Sequence, residues 1–186
     1  MSFFCFQRRL SDFVSAVSEP RRSALIHTPL THETLPFLLR RTRDIDPVTR
    51  KLVYTSLLSS SKISNPRLLT IAQREVVVRD GLGDREPSVR VAAGKVVCAW
   101  FDFVSTEGER LNRREGEAGW EGDDAGVMKS LVSFLGLFDV LGRSGPGEGE
   151  AVAIDAVLSI FTTRREVLDC FLFDGRCLLI LLSFIR

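Results

Sequence analysis

A length of 186 residues with 45% hydrophobic side chains suits one folded domain or part of a repetitive array, and it excludes a wholly disordered chain. The apolar run at residues 177–185 spans only nine residues, far short of the roughly 20 that a membrane-spanning helix needs. The net charge of +1 combines a basic section, residues 1–74 with a net charge of +7, and an acidic remainder with a net charge of −6. A polyanion could bind the basic section, although solvated helix faces also carry such charge.

The first part of the chain is predicted to be helical. One helix covers about Phe6 to Val17, and a second runs from Pro20 to Ile26. Thr31 can cap a third helix. The apolar side of this third helix carries Leu35, Leu38 and Leu39, and its end carries Arg40, Arg41 and Arg43. Cations in a last helical turn suit the helix dipole, which is the structural explanation for these arginines.

Two turns forty residues apart repeat one pattern: an aspartate, then an acid–proline pair, then an arginine three residues past the proline. They are Asp44-Ile45-Asp46-Pro47-Val48-Thr49-Arg50 and Asp84-Arg85-Glu86-Pro87-Ser88-Val89-Arg90. Asp44 and Asp84 can accept hydrogen bonds from helix-start amides, and Arg50 and Arg90 can reach back to neighbouring turns. A period near forty with paired helices predicts an all-α fold, a HEAT-type helical solenoid.

Each repeated turn is predicted to start a helix. Asp46 is in the position of an N-cap with Pro47 at the first helical position. The helix that follows is expected to end in the 59–61 loop and to bury Val48, Leu52, Val53 and Leu57. Thr70 and Gln73 form a predicted capping box at the start of the next helix, which closes at Gly81–Gly83.

The partner of that helix begins at Pro87 and follows helical spacing to Val104. The small residues at 92–94 allow close approach of a neighbouring helix. Residues 1–104 are therefore predicted to be HEAT-type helical pairs, and residues 105–126 an acidic, glycine-rich insertion or loop. Residues 127–174 form a further helical pair, with a break at 142–149, and residues 175–186 a divergent apolar tail.

No catalytic constellation can be assembled from these residues. His27 and His32 flank a loop without metal-ligand spacing, and the alternating glycines of residues 145–150 lack a Walker lysine and the Rossmann spacing. The four cysteines show neither a CxxC pair nor regular spacing: Cys5, Cys98, Cys170 and Cys177. The sequence therefore predicts a binding protein, not an enzyme, with no cofactor, metal or small-molecule substrate.

The basic cluster around the first repeated turn exceeds what dipole compensation requires. It consists of Arg40, Arg41, Arg43, Arg50 and Lys51. Nucleic-acid affinity rests largely on Lys and Arg that neutralise phosphates, so these five residues are the candidate DNA-binding set.

Two segments resemble the condensin subunit 3 family, the HEAT-repeat subunits of the chromosome-associated-protein-G type. One is residues 34–54, and the other is residues 69–95, with Ile71-Ala72-Gln73-Arg74-Glu75 and the second repeated turn. The resemblance implies a non-catalytic condensin subunit that binds the kleisin subunit and double-stranded DNA while separate SMC subunits hydrolyse ATP. It also implies action in mitotic chromosome condensation, at the chromosome in the nucleus, with a cytoplasmic pool outside mitosis.

Two other classes stay open. A HEAT-type adaptor that binds only protein would share the fold, and a salt-dependent DNA titration separates it from a DNA-binding subunit. An enzyme that carries HEAT-like repeats is the third class. The family's proteins are several times longer, so we expect this chain to correspond to a central section.

The tail should behave differently from the rest of the chain. We expect residues 175–186 to be foreign to the family's protein, through a premature or misplaced end of the coding sequence, and to promote aggregation. Deleting them should raise solubility without lowering the Tm of the helical signal. If deletion instead unfolds the helical pair from Val127 to Phe161, the tail is a packed element.

Overall fold

The computed structural model describes residues 19–58, 63, 65–115, 123–142, 148–165 and 167. Across these ranges the chain is helical and contains no strand, which confirms the all-α class. The helix predicted at 6–17 and the apolar tail lie outside the described residues.

The first helices follow the predicted order. Helix α1 covers the described residues 19–27. Thr31 was predicted to cap α2, but the N-cap is Thr34; the Thr31 hydroxyl accepts a hydrogen bond from Thr34 N–H at 3.2 Å in the turn before the helix. The elements up to the end of the first repeat are α2 (Leu35–Leu39), a 3₁₀ turn (Arg40–Arg43), α3 (Pro47–Leu52) and a π-helical turn (Val53–Leu57).

The second and third pairs consist of longer helices. They are preceded by a 3₁₀ turn (Pro66–Leu68) and comprise α4 (Ile71–Leu82), α5 (Pro87–Glu115), α6 (Asp123–Leu135) and α7 (Glu148–Thr163). The predicted capping box opens α4, with both reciprocal hydrogen bonds between Thr70 and Gln73 in place. Gly83 caps the C-terminal end of this helix, as predicted.

Helix α5 differs from the prediction because it does not stop near Val104 but continues to Glu115. Residues 105–115 contain helix-favouring Glu, Arg and Leu side chains, and one glycine costs only about 1 kcal/mol in a helix interior. Low apolar content was therefore a misleading sign of a loop in this half of the predicted insertion.

Helix α5 is also the centre of the core, since it contacts α3, α4, α6 and α7. Its Trp100 is fully buried, and its Phe101 packs edge-to-face on Phe134 of α6 with ring centroids 5.9 Å apart. Phe134 in turn packs on Phe138 at 5.5 Å. The third helical pair is thus joined to the second by a continuous aromatic contact.

One of the four residues predicted to be buried after the first repeated turn is wrong, Val48, whereas Leu52 is partly buried against the core. Val48 is 48% exposed, whereas Thr49 and Arg50 are buried. The predicted burial of Val53 and Leu57 is confirmed. An apolar residue two positions after an N-cap can lie on the solvent side of the first turn, and the polar Thr49 packs inward because Asp46 accepts its hydroxyl hydrogen bond at 2.7 Å.

The helices pack closely around Gly81 near the end of α4. A methyl group there would lie 2.6 Å from Ala93 Cβ and 2.7 Å from the ring of Tyr54. The Tyr54 ring is held in place because its hydroxyl donates a hydrogen bond to Val77 O at 3.0 Å. A glycine at this position lets α4 pack against α5 and against the π-helical turn that follows α3.

Replacing that glycine should destabilise the fold. We expect Gly81→Ala to lower the free energy of unfolding by about 1–3 kcal/mol, because a methyl group forced into a packed core displaces its neighbours. Urea unfolding followed by circular dichroism measures this change. Gly108→Ala is the matched control: it lies within α5 with no atom within 4 Å of the added methyl, so it should be neutral or stabilising. Equal losses for both variants would contradict the close packing at Gly81.

Candidate functional site

The first aspartate of each repeated turn accepts the same local hydrogen bond. Asp44 Oδ1 accepts from Asp46 N–H at 3.1 Å, and Asp84 Oδ1 accepts from Glu86 N–H at 2.8 Å. Asp46 then caps α3 by accepting from Val48 N–H at 3.3 Å and Thr49 N–H at 3.1 Å. The predicted role of these aspartates at helix starts is confirmed.

The arginine of each turn folds back onto its own loop. Arg50 Nη1 donates to Asp44 O at 2.8 Å and to Ile45 O at 3.1 Å. Arg90 Nη1 makes the equivalent bonds, to Asp84 O at 2.7 Å and to Arg85 O at 3.0 Å. Both guanidinium groups are therefore held in the same orientation relative to their turns.

Ion pairs join Arg21 of α1 to Asp44 in the first repeated turn, and Arg50 in that turn to Asp84 in the second. We call these four residues, together with Arg90 of the second turn, the arginine–aspartate ladder. Arg50 Nε and Nη2 bind the two Asp84 carboxylate oxygens at 2.6 and 3.0 Å, in a bidentate pair with both side chains buried. Arg21 Nη1 lies 3.2 Å from Asp44 Oδ1. The arginines thus connect successive helical pairs.

The ladder changes the acid–base properties of its members. Burial by itself raises the pKa of the Asp84 carboxyl, but hydrogen bonds from Arg50 and from Glu86 N–H outweigh it and bring the pKa below its ordinary value of 3.8. The pKa of Asp46 is also below its ordinary value. Burial raises it, but hydrogen bonds from Thr49, Arg22 and two backbone amides lower it by more. The hydrogen bond to Asp84 raises the pKa of Arg50.

Three of the five predicted DNA-binding residues have carboxylate partners within the chain. Arg41 lies 3.3 Å from Asp44 Oδ2, Arg43 lies 3.5 Å from Asp80 Oδ2, and Arg50 is only 6% exposed in its pair with Asp84. Arg40 and Lys51 are exposed and have no ion pair among the described residues. The structure therefore does not bring the five cations together as one free surface.

Lys51 lies in a groove that the sequence did not predict, between α3 and α5, with a volume of about 390 Å³. Lys95 lines the same groove and is exposed, with no ion pair among the described residues. The sequence did contain one indication of this groove: Val91 and Lys95 are four residues apart, so they lie on the same face of a helix. We call this the α3–α5 groove.

A second groove of about 510 Å³ lies between α5 and α7, and it shares Val91 and Lys95 with the first. Arg90 lines it at the turn, and Leu158 contributes an apolar side chain from α7. We call this the α5–α7 groove. Together the two grooves carry Lys51, Arg90 and Lys95 on one continuous surface.

Other kinds of site have no support in the described part of the chain. Residues 19–58, 63, 65–115, 123–142, 148–165 and 167 contain no group of three or more His, Cys, Asp or Glu residues that could hold a metal ion. Among the helices of these ranges, none combines the length and apolar character needed to cross a membrane.

Known proteins match between about half and four fifths of this chain. The Schizosaccharomyces pombe condensin complex subunit 3 is 42% identical over 86 residues, which is 46% of this chain and 10% of that protein. The human protein of the same name is 31% identical over 135 residues, 70% of this chain and 13% of that protein. The Saccharomyces cerevisiae protein is 32% identical over 157 residues, 82% of this chain and 12% of that protein.

The chain is similar to part of condensin complex subunit 3. This finding confirms the resemblance predicted from its turn and capping motifs. The chain spans about 10–13% of the length of these relatives. No family model matches it, and no solved structure matches it.

The ladder makes a testable prediction about stability. Asp84→Asn should lower the free energy of unfolding at pH 7 by about 3 kcal/mol, because it leaves the buried Arg50 charge without its carboxylate. Because the native pKa of Asp84 is lowered, its contribution is complete above the ordinary value of 3.8 and is lost as the pH falls through the native pKa. The difference between the two proteins should therefore shrink below about pH 4 in urea titrations.

Glu86→Gln provides the control for this prediction. It removes one negative charge from the same turn, and the Glu86 side chain makes no ion pair among the described residues. Its effect should stay within about 0.5 kcal/mol. A loss as large as that of Asp84→Asn would mean that overall charge, not the Arg50 pair, accounts for the effect.

Proposed function

We propose that this chain is a section of a HEAT-repeat condensin subunit, without catalytic activity, that binds the kleisin subunit and double-stranded DNA. The similarity to proteins named condensin complex subunit 3 is the observation that carries this proposal. In this role the chain acts with the SMC subunits in mitotic chromosome condensation, at the chromosome in the nucleus.

The packing of the helices supports the solenoid part of the proposal. The pairs α2/α3, α4/α5 and α6/α7 follow one another along the chain, and each packs on its neighbour through contacts such as α3 with α5 and α4 with α7. In both repeated turns the arginine donates to two backbone carbonyls of its own turn. Stacking of similar helical units on their nearest neighbours is the organisation of a solenoid.

The distribution of free cations supports a particular location for DNA. A lysine or arginine adds to DNA affinity by neutralising phosphate and releasing counterions, which a cation already paired with a carboxylate does less well. Lys51 and Lys95 are exposed, unpaired among the described residues and across one groove from each other. We therefore place phosphate contacts on these two lysines and on Arg40, and give the buried Arg50 a structural role.

A salt titration with a labelled 30-base-pair duplex tests this location, using the full chain with a kleisin segment. Lys51→Gln combined with Lys95→Gln should weaken binding to all sequences. It should also reduce the slope of log affinity against log salt by about 1.8, because each phosphate contact contributes about 0.9. Fluorescence anisotropy between 50 and 200 mM salt gives both values.

Two further variants make the result decisive. Arg110→Gln removes an exposed cation from the far end of α5 and should leave the slope unchanged. Arg40→Gln with Arg41→Gln and Arg43→Gln tests the arginine cluster; if only this variant lowers the slope, DNA binds at the turn and not at the groove. Absence of DNA binding with the kleisin segment present would favour the protein-only adaptor.

A further inference from the structure

The arginine–aspartate ladder stops after its second repeated turn. The third turn of the sequence contains Pro146, but the residues at the ladder positions relative to this proline have changed. Arg143 replaces the first aspartate, Gly145 replaces the acid before the proline, and Gly149 replaces the arginine. The sequence of this third turn therefore has no carboxylate at the position that Asp84 occupies in the second turn.

Arg90 makes the same hydrogen bonds to its own turn as Arg50 does, but it lacks the carboxylate that Arg50 binds. Its Nη1 is fixed by Asp84 O and Arg85 O, as Arg50 Nη1 is fixed by its own turn. In Arg50 the remaining donors, Nε and Nη2, bind the Asp84 carboxylate. In Arg90 the same two donors have no partner among the described residues, and the side chain is exposed.

The space beside Arg90 is the α5–α7 groove. Its lining is mainly apolar, with Val91 59% exposed and Leu158 56% exposed, and Lys95 adds a second free cation. Asp155 also lines the groove, but it makes no ion pair with Arg90 or Lys95. A ligand that fits must offer negative charge near Arg90 and apolar surface towards α7.

We propose that Arg90 and the α5–α7 groove form a docking site for a partner polypeptide that presents an aspartate carboxylate to Arg90 and a neighbouring apolar side chain to Val91 and Leu158. The Arg50–Asp84 pair shows which ligand this arginine geometry accepts, a carboxylate held by both oxygens. The proposal does not depend on the proposed function, because it is derived from this chain's own turns.

A carboxylate suits the site better than a nucleic-acid backbone does. The guanidinium fork matches the two oxygens of either group, so Arg90 alone does not discriminate between them. The exposed Val91 and Leu158 beside it offer apolar surface, which an apolar side chain of a peptide can cover and a phosphate–sugar chain leaves in contact with water. The apolar lining thus favours a peptide.

A binding experiment with the full chain tests the proposal. The probe is a fluorescein-labelled peptide with the sequence of residues 81–89, which carries Leu82 close to Asp84. We expect Arg90→Gln in the protein to weaken binding of this peptide about tenfold, as loss of a charge-assisted bidentate contact does. The peptide with Asp84→Asn should bind equally weakly to the unchanged protein, and combining the two changes should add no further loss.

Two more protein variants separate docking from general effects. Arg85→Gln removes a neighbouring exposed charge that does not line the groove, so its affinity for the peptide should stay within about twofold of the unchanged protein. Leu158→Ser changes the exposed apolar lining on α7 and should also weaken binding. Because Leu158 is far from the turn in sequence, this variant still tests the proposal if Arg90→Gln does not fold. Circular dichroism confirms that each variant keeps its helical structure.

Several results would overturn the proposal. Failure of the peptide to bind the unchanged protein would do so, as would an equal loss for Arg85→Gln, or additive losses for the protein and peptide changes. If duplex DNA displaces the peptide and Arg90→Gln weakens DNA binding by the same factor, Arg90 is a phosphate contact and not a peptide anchor.

Discussion

A buried arginine, Arg50, is the residue on which the stacking of the helical pairs depends. Removing a guanidinium from water is costly, and only a full set of hydrogen bonds offsets that cost. Arg50 obtains them from three sources: the carbonyls of Asp44 and Ile45 in its own turn and the Asp84 carboxylate of the next turn. Since these acceptors belong to two different turns, the bonds form only when the turns stand at one distance and orientation.

This requirement explains the packing around it. With the turns fixed by Arg50, α4 lies so close to α5 and to the π-helical turn after α3 that only glycine fits at position 81, beside Tyr54 and Ala93. Tyr54 is buried deeply enough that burial, together with the nearby Asp80 and Asp84 charges, raises the pKa of its hydroxyl far above the ordinary range. The hydroxyl therefore stays protonated and donates to Val77 O. The hydrogen bonds of the turn and the packing of the core around Gly81 thus depend on the same arrangement of the helices.

The ladder also decides which cations are available at the surface. Arginines in the turns are used to join one pair to the next, and Arg41 and Arg43 are partly neutralised by Asp44 and Asp80. The free positive charge lies instead along the grooves, on Lys51 and Lys95, and on Arg90 where the ladder ends. A cluster of basic residues in the sequence is therefore a poor guide to a basic surface in this fold.

The sequence by itself determined the features that depend on residues within about four positions of each other. Thr70 with Gln73, Asp46 with Pro47, and the aspartates at the turns all work through local hydrogen bonds, so their roles were predicted correctly. The extent of α5 beyond Val104 and the exposure of Val48 were not predicted, although both have local causes: the helix propensity of residues 105–115 and the cap geometry at Asp46. Only the tertiary structure decided that Arg50 pairs with Asp84, 34 residues away, and that Lys51 and Lys95 line one groove. Such pairings depend on how helices pack, and spacing along the chain does not encode that distance in space.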